Sequence, residues 1–351
     1  MKRVFAIAAG VAAAVSLSAS VANAAPTANS AVPITGQGSL YKEVKKPVDI
    51  SFTANITPGA GDTTLLPLME SKFTLPKDLA FVPDPKMPVC TEVNAGNSNF
   101  SGATAISLCP NSIVGDGTAN IMLAGQVAAL ITDPELTIFN GGVDSSGGGV
   151  LAIHAYSAST NAGIFMSGAI QNGTLDVLIP RLTADSATST FTLNIPGTQG
   201  QDKGYAEATC STGKYTTSAV ITLGNRSSGG VVSNETSLTT DPTTTDCVGL
   251  AGKAKLSAKV KGPAKVKSGK KGTFKVTLKN TGTASAKSVK VKASGGGKGS
   301  ASGGTIKPGT SKTVKVKVKV TGKKGKKVTV KFKTTASGGV VANAKAKVKV
   351  G

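Results

Sequence analysis

Apolar and polar residues alternate along most of this chain with a period of two. Residues 48–54 read VDISFTA, and 174–179, 189–195 and 215–223 repeat the pattern. The runs 113–124, 136–140 and 150–156 are further candidates. Alternation of this kind puts one set of side chains on each face of an extended strand, so these runs predict half-buried strands. Turn formers separate them: Pro58-Gly59, Asn140-Gly141-Gly142, residues 146–149, Asn172-Gly173 and Pro196-Gly197. Short alternating runs at this spacing predict a β-sandwich or jelly-roll-like unit. Beyond the N-terminus no stretch sustains a helical period; 126–131 and 161–168 are candidate single turns of helix. The Ser/Thr/Gly-rich stretch 228–246 reads as a loop.

The alternation becomes stricter after residue 250. Residues 255–261, 273–279, 288–292, 313–320, 328–333 and 344–350 all place Val, Leu, Phe or Ala at every second position with Lys, Thr or Ser between. Six or seven such strands in about 100 residues match the size of an immunoglobulin-like sandwich. Asn280-Thr281-Gly282 and Lys307-Pro308-Gly309 supply turns. Phe274 and Phe332 are in phase with the Val positions and are expected in the core. The glycine run at 295–300 reads as a flexible hairpin loop.

Charge divides the chain at the same place. From 251 to 351 there are 28 Lys and no Arg, Asp or Glu. All 18 acids precede it, against eight Lys and two Arg in 25–250. A net −8 followed by +28 implies two units with different surfaces, 25–250 and 251–351. Before them, residues 1–24 read as a secretory signal peptide: Lys2 and Arg3, a short apolar run, and Ala22-Asn23-Ala24 as a cleavage site. The apolar run is too short to span a bilayer comfortably, and no later stretch reads as a transmembrane segment. The expected location is extracellular, free or associated with the cell envelope. Four cysteines in an exported chain suggest two disulfides. Of the three pairings, locality favours Cys90–Cys109 and Cys210–Cys247.

The order of motifs in the tail carries a resemblance. The run 273–282 ends in Asn280-Thr281-Gly282, then comes Ser288-Val289-Lys290-Val291, then 306–316 with Pro308-Gly309. This order resembles bacterial extracellular Ig-like modules of the CARDB (cell-adhesion-related) type and the alpha-galactosidase-associated Ig-like domain. The resemblance implies an accessory or adhesive module. In the first unit, Pro88-Val89-Cys90, Leu108-Cys109-Pro110 and 112–119 are similar to exported actinobacterial proteins of unassigned function. That likeness carries no activity, and it supports the Cys90–Cys109 pairing.

Several chemistries find little footing. His154 is the single histidine, no G-x-S-x-G elbow is present, and paired cysteines offer no thiolate. No metal or cofactor motif stands out, and the expectation is a non-enzyme without cofactor. A carbohydrate-binding or glycoside-hydrolysing first unit is the alternative. It would draw on Asp133, Glu135 and Asp144 as carboxylates and on Tyr156 or Tyr205 as stacking platforms, although both tyrosines read first as core or rim residues. The leading expectation is electrostatic. Lys315, Lys317, Lys319, Lys331, Lys333, Lys345, Lys347 and Lys349 are candidates to hold an anionic envelope polymer or surface. Without Arg or interleaved aromatics, no specific nucleic-acid readout is expected.

Overall fold

A computed structural model describes residues 24–36, 39–82, 86–91, 100–181, 186–197 and 205–351. The signal-peptide reading, apart from Ala24, lies outside the described residues. The protein is all-β with two disulfides.

Apart from a few two- and three-residue strands, the first unit holds β1 (Thr27–Ala31), β2 (Lys46–Thr57), β3 (Leu68–Thr74), β4 (Ile113–Met122), β5 (Glu135–Val143), β6 (Gly149–Ser157), β7 (Ala162–Gln171), β8 (Thr174–Leu178), β9 (Ala187–Ile195), β10 (Lys214–Arg226), β11 (Val232–Thr239) and β12 (Thr243–Asp246). They run antiparallel in the order β11-β10-β3-β8-β7-β6-β5-β4-β9-β2, with β1 on β2 and β12 on β10. β1 also lies against β10 and β11. The Ser30 and Thr240 hydroxyls, 2.7 Å apart, join the two ends of the path. The sheet thus folds over on itself around one core. Alternation decides what that core contains: in β9 every second residue from Ala187 to Ile195 is buried. Phe73 sits at its centre, edge-on to Phe52 and Phe191 with ring centres 5.3 and 6.0 Å away.

A smaller apolar cluster lies outside that sheet. Cys90, Ala105, Cys109, Phe139 and Ala152 are buried together there. Helix α1 (Gly102–Leu108) covers Phe139 and Ala152. Ser101 caps the helix, its Oγ accepting from the Thr104 N–H at 3.2 Å. The Cys90–Cys109 disulfide holds this excursion down. Cys210–Cys247 binds the region where the chain leaves the unit.

The second unit holds β13 (Leu256–Lys261), β14 (Lys265–Val266), β15 (Lys271–Asn280), β16 (Ala286–Gly295), β17 (Gly297–Ile306), β18 (Ser311–Val320), β19 (Lys327–Thr335) and β20 (Val341–Val350). Their order is β13-β15-β18-β17-β16-β19-β20-β14. β13 packs against β20, so this path also closes on itself. β17 pairs with β18 through Gly297 and Lys298 and with β16 along the rest of its length, turning the corner between the two layers. Phe274 and Phe332 are buried at the centre, 5.3 Å apart.

Five expectations need correction. Residues 228–246 are not a loop: they form edge strands β11 and β12, whose Thr residues suit a strand while their exposure removes any hydrophobic period. Residues 161–168 belong to strand β7, and 126–131 form a turn and a short strand after a single 3-10 turn at Leu123–Gly125. Asn140-Gly141-Gly142 lies inside β5 at a register shift. The glycine run at 295–300 mostly belongs to β17, where close approach requires it: a Cβ on Gly297 would lie 2.6 Å from Val318 Cγ1. Helix α1 was not expected, because seven residues carry too little periodicity to read.

Candidate polyanion-binding surface

Every lysine of 251–351 is exposed. Among the described residues the ion pairs join Lys72 to Glu70 and Asp176, each at 2.9 Å, and no tail lysine pairs with a carboxylate. Strand register decides where these lysines stand. Lys261, Lys275 and Lys315 are direct neighbours across β13, β15 and β18. Lys271, Lys319 and Lys298 form a second row, and Lys317 lies between the two on β18. On the other layer, Lys292 faces Lys333, Lys331 faces Lys345, and Lys327, Lys349 and Lys265 form a row. Lys347 is beside Thr329. Directly opposed residues have Cβ atoms about 4.5–5.5 Å apart, so each lysine pair costs stability through like-charge repulsion. The eight candidate lysines therefore do not form one patch. Lys315, Lys317 and Lys319 lie on one outer face, and Lys331, Lys333, Lys345, Lys347 and Lys349 lie on the opposite one.

The first unit touches this module at one end. Within the first unit, Gly249–Leu250 pairs in parallel with Leu40–Tyr41 and so fixes where the chain leaves for the module. Glu43 Oε2 accepts hydrogen bonds from the Ser285 N–H at 2.9 Å and from the Ser285 hydroxyl. Both lysine faces remain uncovered.

The residues named for the carbohydrate alternative are engaged otherwise. Tyr205 is buried, edge-on to Phe81, its hydroxyl donating to the Val150 carbonyl at 3.4 Å. It is a core residue, as its first reading had it, and the carbohydrate alternative loses it as a stacking platform. Tyr156 is half-buried and donates to Asn161 Oδ1 at 2.9 Å. Asp133 accepts from the Ser159 N–H at 2.7 Å and from the Ser157 and Ser159 hydroxyls, each at 2.9 Å. Asp144 accepts from the Ser146 hydroxyl, the Gly148 and Ser146 N–H groups, and the Gln171 amide. These bonds favour the charged form and hold both carboxyls below the usual range, the wrong direction for a general acid. Neither Asp133 nor Asp144 bonds the other or Glu135; each holds a turn. The carboxylates that do share a partner are Glu70 and Asp176, a pairing between β3 and β8 that sequence spacing does not reveal. The Lys72 ammonium lowers Glu70, while burial raises Asp176. No cluster of three or more His, Cys, Asp or Glu side chains suited to a metal occurs among the described residues. No helix among them is long and apolar enough to cross a membrane.

His154 is buried beneath the disulfide-held excursion, its ring 4.5 Å from that of Phe165 and neither nitrogen in good hydrogen-bond geometry. Burial lowers its pKa from 6.5, with weaker opposition from the Phe100 backbone. The unfolded chain then takes up a proton that the native state refuses. Stability is intact above about pH 6.5 and declines as pH falls below it. The melting temperature of the first unit should drop between pH 7 and pH 5, and His154→Phe should flatten part of that drop. An unchanged slope in the variant would remove His154 as its source.

This fold and surface define an acid-free, lysine-faced Ig-like module carried by a larger disulfide-bonded β-sandwich. The CARDB family model matches residues 253–345, and the C-terminal unit is a CARDB-type module. No curated protein matches the chain. Among solved structures, red sea bream transglutaminase aligns over 92% of this chain and 31% of its own, at 7% identity and a TM-score of 0.24. The chain thus spans under a third of that protein, and a likeness this low carries no argument.

Proposed function

We propose that this is an exported, non-catalytic, envelope-associated protein, structural or adhesive in role. Its CARDB-type module attaches to an anionic surface polymer. One observation carries the reading: all 28 lysines of an acid-free module are exposed, and none is neutralised by a carboxylate among the described residues. A surface of this charge concentrates polyanions and releases their counterions, so binding weakens steeply with salt. The two disulfides and the CARDB match are compatible with an extracellular setting.

Retention on purified cell envelope tests it. The mature chain should be held at low salt and released at high salt. A chain ending at Leu250 should not be held at any salt. Equal retention of both chains, or retention that salt leaves unchanged, would refute electrostatic attachment through the tail.

A further inference from the structure

We infer that the module carries two separate polyanion sites, one on each outer face, and that one copy of the protein bridges two linear polyanions of the phosphodiester type. This rests on the electrostatic reading above and extends it from attachment to cross-linking. The rows built on Lys275, Lys315 and Lys319 belong to the layer of β13, β15 and β18. Those built on Lys331, Lys333 and Lys345 belong to the layer of β16, β19 and β20. The Val and Phe residues of both layers share one core, so the lysines of the two layers point in opposite directions. Packed sheets lie about 10 Å apart before side-chain length is added. That already exceeds the roughly 8 Å Debye length at physiological ionic strength. A polymer on one face therefore neutralises little of the other face's charge. Lysines on one strand face recur every two residues, about 6.8 Å, an interval suited to a chain of regularly spaced single charges. The first unit meets the module at Ser285, and the lysines of both faces stay exposed.

The test is a capture assay with the full mature chain. Beads carry poly(glycerol phosphate); protein is bound below saturation and washed; fluorescent poly(glycerol phosphate) is then added. Light scattering beforehand should show a monomer; a dimer would overturn bridging by a single copy. Two variants accompany the wild type: Lys275, Lys315, Lys317 and Lys319 to Gln on one face, and Lys331, Lys333, Lys345 and Lys347 to Gln on the other. Circular dichroism checks that both keep their β-structure, and each serves as the other's folding control. The wild type should retain the label. Each variant should stay on the beads and retain at least ten-fold less label. Wild type that binds the beads without retaining label overturns bridging and leaves attachment standing. So do variants that capture label as well as the wild type. Wild type that fails to bind the beads at low salt overturns the attachment reading for this polymer class, and bridging with it.

Discussion

Reduction of both disulfides is expected to cost the first unit about 7 kcal/mol and the CARDB-type module nothing. The bridges close loops with sequence separations of 19 and 37. By the chain-entropy model these contribute roughly 3 and 4 kcal/mol. A domain of ordinary stability has about 5–15 kcal/mol to lose, so the reduced unit stands close to unfolding. All four cysteines lie before residue 251, and the second unit has its own core. Calorimetry on the oxidised chain should show two transitions, and reductant should move one of them down. The bridges also differ in what they hold. Loss of Cys90–Cys109 frees the excursion that covers Phe139, Ala152 and His154, so it should raise binding of a hydrophobic dye before the main core melts. Loss of Cys210–Cys247 should act directly on the main core, where Cys210 is buried. Transitions that shift together, or a first unit indifferent to reductant, would refute this division.

What the sequence disclosed follows from what alternation can encode. Where one face of a strand is buried and the other wet, the pattern shows it: β9 and β15 are legible residue by residue, and so are Phe274 and Phe332 as core. Where both faces are exposed, as in β11, no pattern forms and Ser/Thr content imitates a loop. Where backbones crowd, as in β17, glycine replaces the inward apolar residue and imitates a linker. The lysines were legible as outward positions. Their division into two opposed faces was not, because it depends on how β13, β15 and β18 pair apart from β16, β19 and β20. Tyr205 read first as a core or rim residue and only in the carbohydrate alternative as a platform; no alternating run frames it, and the structure places it in the core.

The Asn280-Thr281-Gly282 motif is one part of the order that carries the family resemblance, and its weight falls on Asn280. This side chain is fully buried. Its amide donates to the carbonyls of Ala284 at 2.8 Å and Ile306 at 3.0 Å. Its oxygen accepts from the N–H groups of Lys255 at 3.1 Å and Gly282 at 3.0 Å. One residue therefore ties the start of β13, the turn after β15 and the end of β17. Four bonds at about 1 kcal/mol net each, with buried partners left unsatisfied, predict that Asn280→Ala costs about 3–5 kcal/mol. That is a large share of what a module of this size holds. Asn280→Asp separates the two halves of the network. Its carboxylate still accepts from both N–H groups, but it turns a bare oxygen toward two carbonyls. Burial and that repulsion raise its folded-state pKa above the unfolded value. Stability is then retained at pH below the unfolded pKa and lost as pH rises through the folded one. Urea unfolding of the full chain, followed through the module's transition, should place Asn280→Ala low at every pH. Asn280→Asp should be equally low at neutral pH and partly restored in acid, relative to the wild type at the same pH. A loss under 1 kcal/mol for the alanine variant, or no restoration for the aspartate, would mean that water replaces these bonds and that the motif is held by its turn geometry alone.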